Sequence, residues 1–459
     1  MCGIFGVTGH GEAPALTHLG LYSLQHRGQE SAGIVAVDAE GAAHATRAMG
    51  LVSDGLAEGE LKGVQGHVAI GHTRYSTAGA STIENAQPIL ARARGGHIAV
   101  AHNGNLVNHV AIRRQLEEDG AIFASTQDTE VIVHRLARAH GATPADRIRA
   151  ALTGLEGSYS LLLLLDDVLY AVRDPRGWRP LAIGRLGDAW VAASETCALD
   201  IVGAQYVRDV APGEIVRLTP GQLETIGTLG QQAPAMRCVF EYVYFARPDS
   251  RVFGGSVDRA RRALGRRLAI EQPAPGADLV FSVPDSSNSA ALGFAEQSGV
   301  PYELALIRNH YVGRTFIAPT QGGRAAKVKV KFNPVRELLE GKKVVMVDDS
   351  IVRGTTTRGL VQLIRGAGAV EVHMRVSSPP VTGPCWYGID TPNREELIAA
   401  RLDPAAIAAE IGVDSLGYLS LEGMLAAVPG GPDGFCDACF SGRYPTDPPE
   451  SPLVSLRRR

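Results

Sequence analysis

Residues 344–357 read VVMVDDSIVRGTTT, and no other stretch restricts the fold of this chain so tightly. Four apolar residues make a buried strand, and two adjacent acids, Asp348 and Asp349, close it. A small loop with Ser350, Arg353 and Gly354 follows, and Thr355, Thr356 and Thr357 open a helix. In open parallel sheets, ligands bind beyond the carboxyl ends of strands. Loop N–H groups and the following helix N-terminus make an anion site there. A bound phosphate alone would not need two acids. Paired carboxylates suit ribose hydroxyls or a hydrated Mg²⁺, which takes hard oxygen ligands. The combination reads as a site for a sugar phosphate carrying further phosphates. The plain alternative is a strand-to-helix turn with surface acids. Two adjacent acids and four hydroxyl residues make that an unusual turn. No GxxxxGK[ST] is present, so this is not a Walker loop.

The surroundings agree. A helix is predicted over Arg259–Ile270, a strand over ADLVFSVP, a helix over Ala290–Ser298, a helix over Thr355–Ala367 and a strand over VEVHMRVSSPP. Alternation of this kind with continuous apolar strands argues for a parallel sheet covered on both faces. Asn393 and Glu396 are spaced as a capping box for a helix ending near Leu402.

The first half reads differently. Up to about Arg217 it holds short β-type runs (HVAIGHTRYS, HIAVAHNGNL, SLLLLL, AWVAAS) with helical patterns near Gly11–Gln25 and Asp128–Ala139. Many strands with few helices point to layered sheets. The polar stretch Thr219–Pro234 is the expected boundary. The resulting division is 2–232, 233–415 and an extension over 416–459. The tail TDPPESPLVSLRRR is expected to be poorly ordered.

At 459 residues the chain is comfortable for two domains. A net charge of −3 gives no general pull toward nucleic acid or anionic membrane. The opening residues MCGIFGVTGHG lack a secretory pattern, and Leu161–Leu165 is too short to cross a bilayer. A cytoplasmic location is expected. Six cysteines are too few for a disulfide scaffold. Cys436 and Cys439 form a CxxC pair, which Cys238 and Cys385 could complete to four ligands for Zn²⁺ or an iron–sulfur cluster. A redox pair or unligated core thiols are the alternatives.

Residues 344–357 closely resemble the phosphoribosyl pyrophosphate signature of type I phosphoribosyltransferases. The resemblance implies that Asp348 and Asp349 meet ribose hydroxyls and Mg²⁺, while Ser350, Arg353, Gly354 and Thr355–Thr357 hold the 5′-phosphate. VPDSSNSAA resembles that family's pyrophosphate-side loop, with Ser286 near the Mg²⁺. The basic run between them, with Arg308, Arg314, Arg324, Lys327, Lys329 and Lys331, corresponds to a lid over pyrophosphate, with Lys327 contacting ligand. For Lys329 and Lys331 a solvated edge strand is an equal reading.

Cys2 follows Met1. Methionine removal would leave a thiol beside its own α-amine, the base of N-terminal nucleophiles. In order, MCGIFGV, LQHRGQESAGI, GHTRYSTAG, AHNGNL and STQDTE resemble the class II glutamine amidotransferases, which are N-terminal nucleophile hydrolases. That resemblance implies an αββα sandwich ahead of a type I phosphoribosyltransferase parallel-sheet domain. It makes Cys2 the nucleophile and gives Arg74 the glutamine α-carboxylate. It gives Asn103 and Gly104 the oxyanion hole, and Asp128 the α-ammonium. Read plainly, Asn103-Gly104 is a hairpin turn and Asp128 a helix cap, though Asp128 could serve as both.

Both halves in one chain resemble the amidophosphoribosyltransferase family, over nearly the whole length. Glucosamine-6-phosphate synthase and asparagine synthetase share only the first half. The resemblance implies ammonia transfer from glutamine to phosphoribosyl pyrophosphate, with Mg²⁺. It further implies purine nucleotide inhibitors and a homo-oligomer, typically a tetramer. Cys238, Cys385, Cys436 and Cys439 lie in segments similar to the branch carrying a 4Fe–4S cluster, and Cys197 looks structural. That branch often has a propeptide before the catalytic cysteine, whereas methionine removal alone is expected here. A dead nucleotide sensor or an ammonia-only transferase would be the other classes, and the intact motif sets argue against both.

Overall fold

A computed structural model describes all residues except 57–62, 77–78, 95, 231–232, 311–330, 392 and 450–459. The first half stacks two antiparallel sheets. One has seven strands in the order Gln205–Asp209, Ala182–Leu186, Ala189–Ala193, Gly3–Thr8, Val68–Arg74, Ser31–Val37 and Ala43–Met49. The other has six, in the order Gln222–Thr228, Glu214–Thr219, Val168–Arg173, Gly157–Leu165, Gly96–Leu106 and Ile89–Ala93.

The run SLLLLL shows why the layers stack. Side chains alternate across a strand. Leu162 and Leu164 therefore enter the core between the sheets with Ile4, Val35 and Ile70. Leu161, Leu163 and Leu165 enter an outer core under the helices Thr129–Arg138 and Pro144–Leu152. The opposite outer face packs on the helix Ala13–Ser23. This makes four layers, αββα.

The second half carries a four-stranded parallel sheet, in the order Leu279–Ser282, Lys343–Asp348, Glu371–Val376 and Ser415–Tyr418. Val345 and Val347 face a core with the helices Val257–Glu271 and Asn288–Ser298. Val344 and Met346 face the other side, with Thr355–Gly366 and Pro404–Ile411. The first helix pair crosses at glycines: a Cβ on Gly265 would lie 1.8 Å from the Ala290 carbonyl oxygen. The chain later returns so that Phe435–Cys436 pairs in parallel with Arg237–Cys238.

Three expectations need correction. Gln222–Thr228 of the expected linker is a strand paired with Glu214–Thr219. Its polar residues sit on an edge strand, where one side meets water. Asn393 caps nothing: two short 3₁₀ turns, Arg394–Glu396 and Ile398–Ala400, replace the helix. They are tied sideways, since Ile398 N–H donates to the Val352 carbonyl (2.9 Å) and Arg353 pairs with Glu396 (2.9 Å). The helix begins only at Pro404, where the Asp403 carboxylate accepts from the Ala406 N–H. Finally, the first half contains more helix than its pattern announced, including His109–Glu118 and Pro144–Leu152. Lys327, Arg314, Arg324 and Lys329 lie outside the described residues, as do residues 450–459 of the tail. The strands Leu306–Arg308 and Phe332–Pro334 pair on either side of the basic run.

Candidate active sites

Cys2 immediately precedes the central strand of the seven-stranded sheet and is 7% exposed. The glycine after it is a packing requirement, because a Cβ on Gly3 would meet Thr73 Oγ1 at 2.7 Å. The Cys2 N–H donates to Asn103 Oδ1 (3.3 Å), and Arg27 Nε donates to the Cys2 carbonyl (3.0 Å). Arg74 ends the neighbouring strand, Val68–Arg74. It donates to the Ala80 carbonyl (3.0 Å) and lies 3.6 Å from Glu30.

Asn103 and Gly104 are not a turn. Both lie inside the strand Gly96–Leu106, opposite Ser160 and Tyr159. Asn103 Nδ2 is buried without a partner among the described residues. Asp128 stands at the start of a helix, yet its side chain does not cap it. Instead its Oδ2 accepts from the Leu106 N–H of the adjoining strand (2.9 Å). Cys2, Arg74, Tyr75, Gln87, His102, Gly104, Gln127 and Asp128 line one pocket. His102 is committed to Thr129 Oγ1 (3.0 Å) and the Ser158 carbonyl (3.2 Å). Burial holds His72 down to about 3, so it stays neutral. No histidine hydrogen-bonds Cys2 among the described residues.

Behind Cys2 lies a buried charge network that motif reading missed. Arg27 pairs with Glu195 and with Glu241 (2.7 Å), and Arg179 lies 3.5 Å from Glu241. Glu195 also accepts from the Arg247 N–H (2.9 Å) and Ser250 Oγ (2.7 Å). Arg27 was visible only as a letter in LQHRG, and its carboxylate partners are far away in sequence. Burial pushes Glu195 up, but His26 and Arg27 outweigh it and hold the carboxyl well below the ordinary range.

The second set of candidate residues gathers at the carboxyl end of the strand Lys343–Asp348. Asp348 ends its strand, and the loop beyond Ser282 brings two serines to the acids. Ser286 Oγ donates to Asp349 (2.5 Å) and Ser287 Oγ to Asp348 (3.0 Å). Ser350 Oγ also donates to Asp349 (2.6 Å). Burial raises both carboxyls, and the charge of Asp349 adds to the rise at Asp348. Gly354 has φ +76°, and a Cβ there would lie 2.7 Å from Ile398 Cδ1. Thr355 and Thr356 are exposed at the helix start, whereas Thr357 is buried. Arg353 is tied to Glu396 and Arg308 to Asp285 (2.5 Å).

Cys238, Cys385, Cys436 and Cys439 line one cavity with Trp178, Arg179 and Tyr387. All are free thiols. Burial pushes Cys238 up to about 11 and raises Cys436 and Cys439 well above the ordinary value. Among the described residues, no three Cys, His, Asp or Glu side chains converge on a single metal ion. The cavity and that result differ because lining one space is a looser condition than sharing one ion. Cys197 lies apart, buried near Glu195.

Residues 385–388 touch both halves. Asn105 Nδ2 donates to the Trp386 carbonyl (2.8 Å) and Ser158 Oγ to the Tyr387 carbonyl (2.7 Å). A Cβ on Gly388 would lie 3.2 Å from Gly104 Cα.

Residues 72–200 match the glutamine amidotransferase domain family. An amidophosphoribosyltransferase of Bacillus subtilis (strain 168) is 50% identical over 451 residues, 97% of this chain and 94% of that protein. One from Archaeoglobus fulgidus is 48% identical over 455 residues, 98% of this chain and 99% of its own. A solved structure, the glutamine phosphoribosylpyrophosphate amidotransferase of B. subtilis complexed with ADP and GMP, aligns with a TM-score of 0.91 at 49% identity. That alignment covers 97% of this chain and 98% of the other. Among the described residues, no helix is long and apolar enough to cross a membrane.

Proposed function

The chain belongs to the amidophosphoribosyltransferase family, and from that premise we infer which residues carry its chemistry. It is an enzyme that moves ammonia from glutamine to 5-phosphoribosyl 1-pyrophosphate. The products are 5-phosphoribosylamine, glutamate and pyrophosphate, the first committed step of purine synthesis. Residues 2–232 are the glutaminase and 233–415 the transferase. The strand Ser415–Tyr418 still belongs to the transferase sheet, so the 416–459 extension proper starts after it.

With Met1 removed, the Cys2 α-amine takes the thiol proton and the thiolate attacks the glutamine carboxamide carbon. The unpartnered Asn103 Nδ2 is the observation that carries this reading. A buried donor without an acceptor is costly unless a ligand supplies one, and a developing oxyanion beside Cys2 would, with the Gly104 N–H. Arg74 binds the α-carboxylate and Asp128 the α-ammonium. The C–N bond breaks, ammonia leaves, and water cleaves the thioester to glutamate. Ammonia then attacks the anomeric carbon of the second substrate, and the bond to pyrophosphate oxygen breaks. Arg74→Ala is expected to abolish glutamine-dependent turnover and leave turnover with ammonium salts. Equal loss of both would reject the division of labour.

Asp348, Asp349 and Ser286 fit Mg²⁺. Their raised carboxyls are what two buried acids show before a cation joins them. Mg²⁺, when bound, neutralises charge on the pyrophosphate. Ser350, Arg353, Gly354 and Thr355–Thr357 hold the 5′-phosphate, with Thr357 acting through the backbone because its side chain is buried. Lys327 belongs to the lid.

For the four thiols the reading is a 4Fe–4S cluster. Its support is the shared cavity, since a cluster spreads its thiolates farther apart than one ion does. The cysteines would tie the extension to residues 238 and 385. Anaerobically purified protein is expected to be brown, and a colourless protein with stoichiometric zinc would reject the cluster. Inhibition by purine nucleotides draws support from the ADP and GMP held by the B. subtilis relative. A homotetramer and a cytoplasmic location complete the proposal.

A further inference from the structure

We infer that Gln127 donates a hydrogen bond to the α-carboxylate of bound glutamine, beside Arg74, and so helps select the free amino acid. Its amide orientation is dictated by its hydrogen-bonded neighbours. The His102 backbone N–H can only donate, and it donates to Gln87 Oε1 (2.9 Å). Gln87 Nε2 therefore faces the other way, donating to Thr129 Oγ1 (2.9 Å) and to Gln127 Oε1 (2.9 Å). Gln127 has thus committed its oxygen to the inner network. Its Nε2 is left over, buried and without a partner among the described residues. Gln127 is 2% exposed and lines the Cys2 pocket.

A buried N–H pair without an acceptor marks a place for one. Three groups of glutamine enter this pocket, and polarity sorts them. The α-ammonium is a donor and goes to Asp128. The reacting carboxamide lies at Cys2 and Asn103. The α-carboxylate is the acceptor that remains. Packing puts Gln127 on the matching side. A Cβ on Gly79 would lie 3.2 Å from Gln127 N and 3.2 Å from Asn85 Nδ2. Asn85 Nδ2 (2.8 Å) and Arg74 Nη1 (3.0 Å) donate to the adjacent Ala80 carbonyl. Gln127 and Arg74 therefore both border the Gly79–Ala80 segment.

The inference rests on the roles proposed for Arg74 and Asp128, and Arg74→Ala tests those separately. The decisive variant is Gln127→Glu in the full-length enzyme. It keeps an oxygen for Gln87 and replaces only the free donor. Gln127→Met removes both and checks the effect without an added charge. A hydrogen bond to a charged group corresponds to a roughly tenfold to hundredfold rise in the glutamine KM, with kcat held within about threefold. Gln127→Glu is expected to be worse than Gln127→Met, because it sets a carboxylate against a carboxylate. Two alkylators of Cys2 separate recognition from packing. Iodoacetamide has no α-carboxylate, and its rate should hold. A diazoketone analogue of glutamine keeps that group, and its rate should fall by the factor seen in KM. An unchanged KM in Gln127→Glu, or an equal fall with both alkylators, overturns the inference.

Discussion

Two pairs of buried acids in this molecule have opposite fates. Glu195 and Glu241 share Arg27, with Arg179 close by. Asp348 and Asp349 hydrogen-bond serine hydroxyls and lie against each other, with no ion pair among the described residues; only the more distant charge of Arg261 reaches Asp349. The first carboxylate, Glu195, is held below the ordinary range by His26 and Arg27 against its burial. Both aspartates are pushed above it, first by burial. The contrast separates two uses of buried charge. An acid that arrives with its cation joins two parts of the fold, here the glutaminase and the segment Glu241–Ser250. An acid that lacks one is a place for a cation to bind. Motif reading finds the second kind, because both acids stand together in one loop. It cannot find the first, because Arg27, Glu195 and Glu241 meet only in the folded chain.

The strongest way to break this comparison is to remove the shared cation. Arg27→Met takes the shared cation from two buried carboxylates, leaving Glu195 to His26 and Glu241 to Arg179. Removing one partner of a buried pair costs about 3–5 kcal/mol. The denaturation midpoint is expected to fall accordingly, and Cys2 loses the donor to its carbonyl. A midpoint within about 1 kcal/mol of the parent would mean that the network is not structural. Asp349→Asn should behave in the opposite way. It relieves like-charge repulsion, so the midpoint of the metal-free protein stays level or rises by up to about 1 kcal/mol. Phosphoribosyl transfer from ammonium salts should fall by orders of magnitude. A large loss of stability would place Asp349 with the structural acids.

How much could be read in advance follows the same division. The strand–acid–loop–helix unit was legible because its neighbours in sequence are its neighbours in space. Cys2, Arg74, Asn103 and Asp128 were legible through their motifs, and they line or border one pocket. Asp128 as a cap and Asn103-Gly104 as a turn failed because each has a better partner across the sheet, Leu106 N–H for one and the Ser160–Tyr159 register for the other. The helix expected near Leu402 failed because Val352 and Arg353 hold that segment from the side. The motif STQDTE by itself gives Gln127 no role. Its meaning depends on Gln87, 40 residues away, and that relation exists only in three dimensions.

The smallest effect expected is also the sharpest, because its sign depends on which kind of acid is titrated. Glu195 has a folded-state pKa depressed below its ordinary value of 4.5. A depressed acid adds stability that is fully present above the unfolded pKa and disappears as pH falls toward the folded one. Glu195→Gln removes that contribution at every pH. The variant should therefore melt below the parent at neutral pH, by less than Arg27→Met does, and the gap should begin to close below about pH 4.5. Asp349→Asn should show a gap of the opposite sign. Its folded pKa is raised, so the charged form opposes folding above the unfolded value, and any advantage of the variant lies at neutral pH and fades on acidification. Thermal melts of the three metal-free proteins between about pH 3.5 and 7 give both signs in one series. Parallel curves for parent and Glu195→Gln across that range would show that Glu195 is not held by its cations, and the distinction between the two acid pairs would collapse.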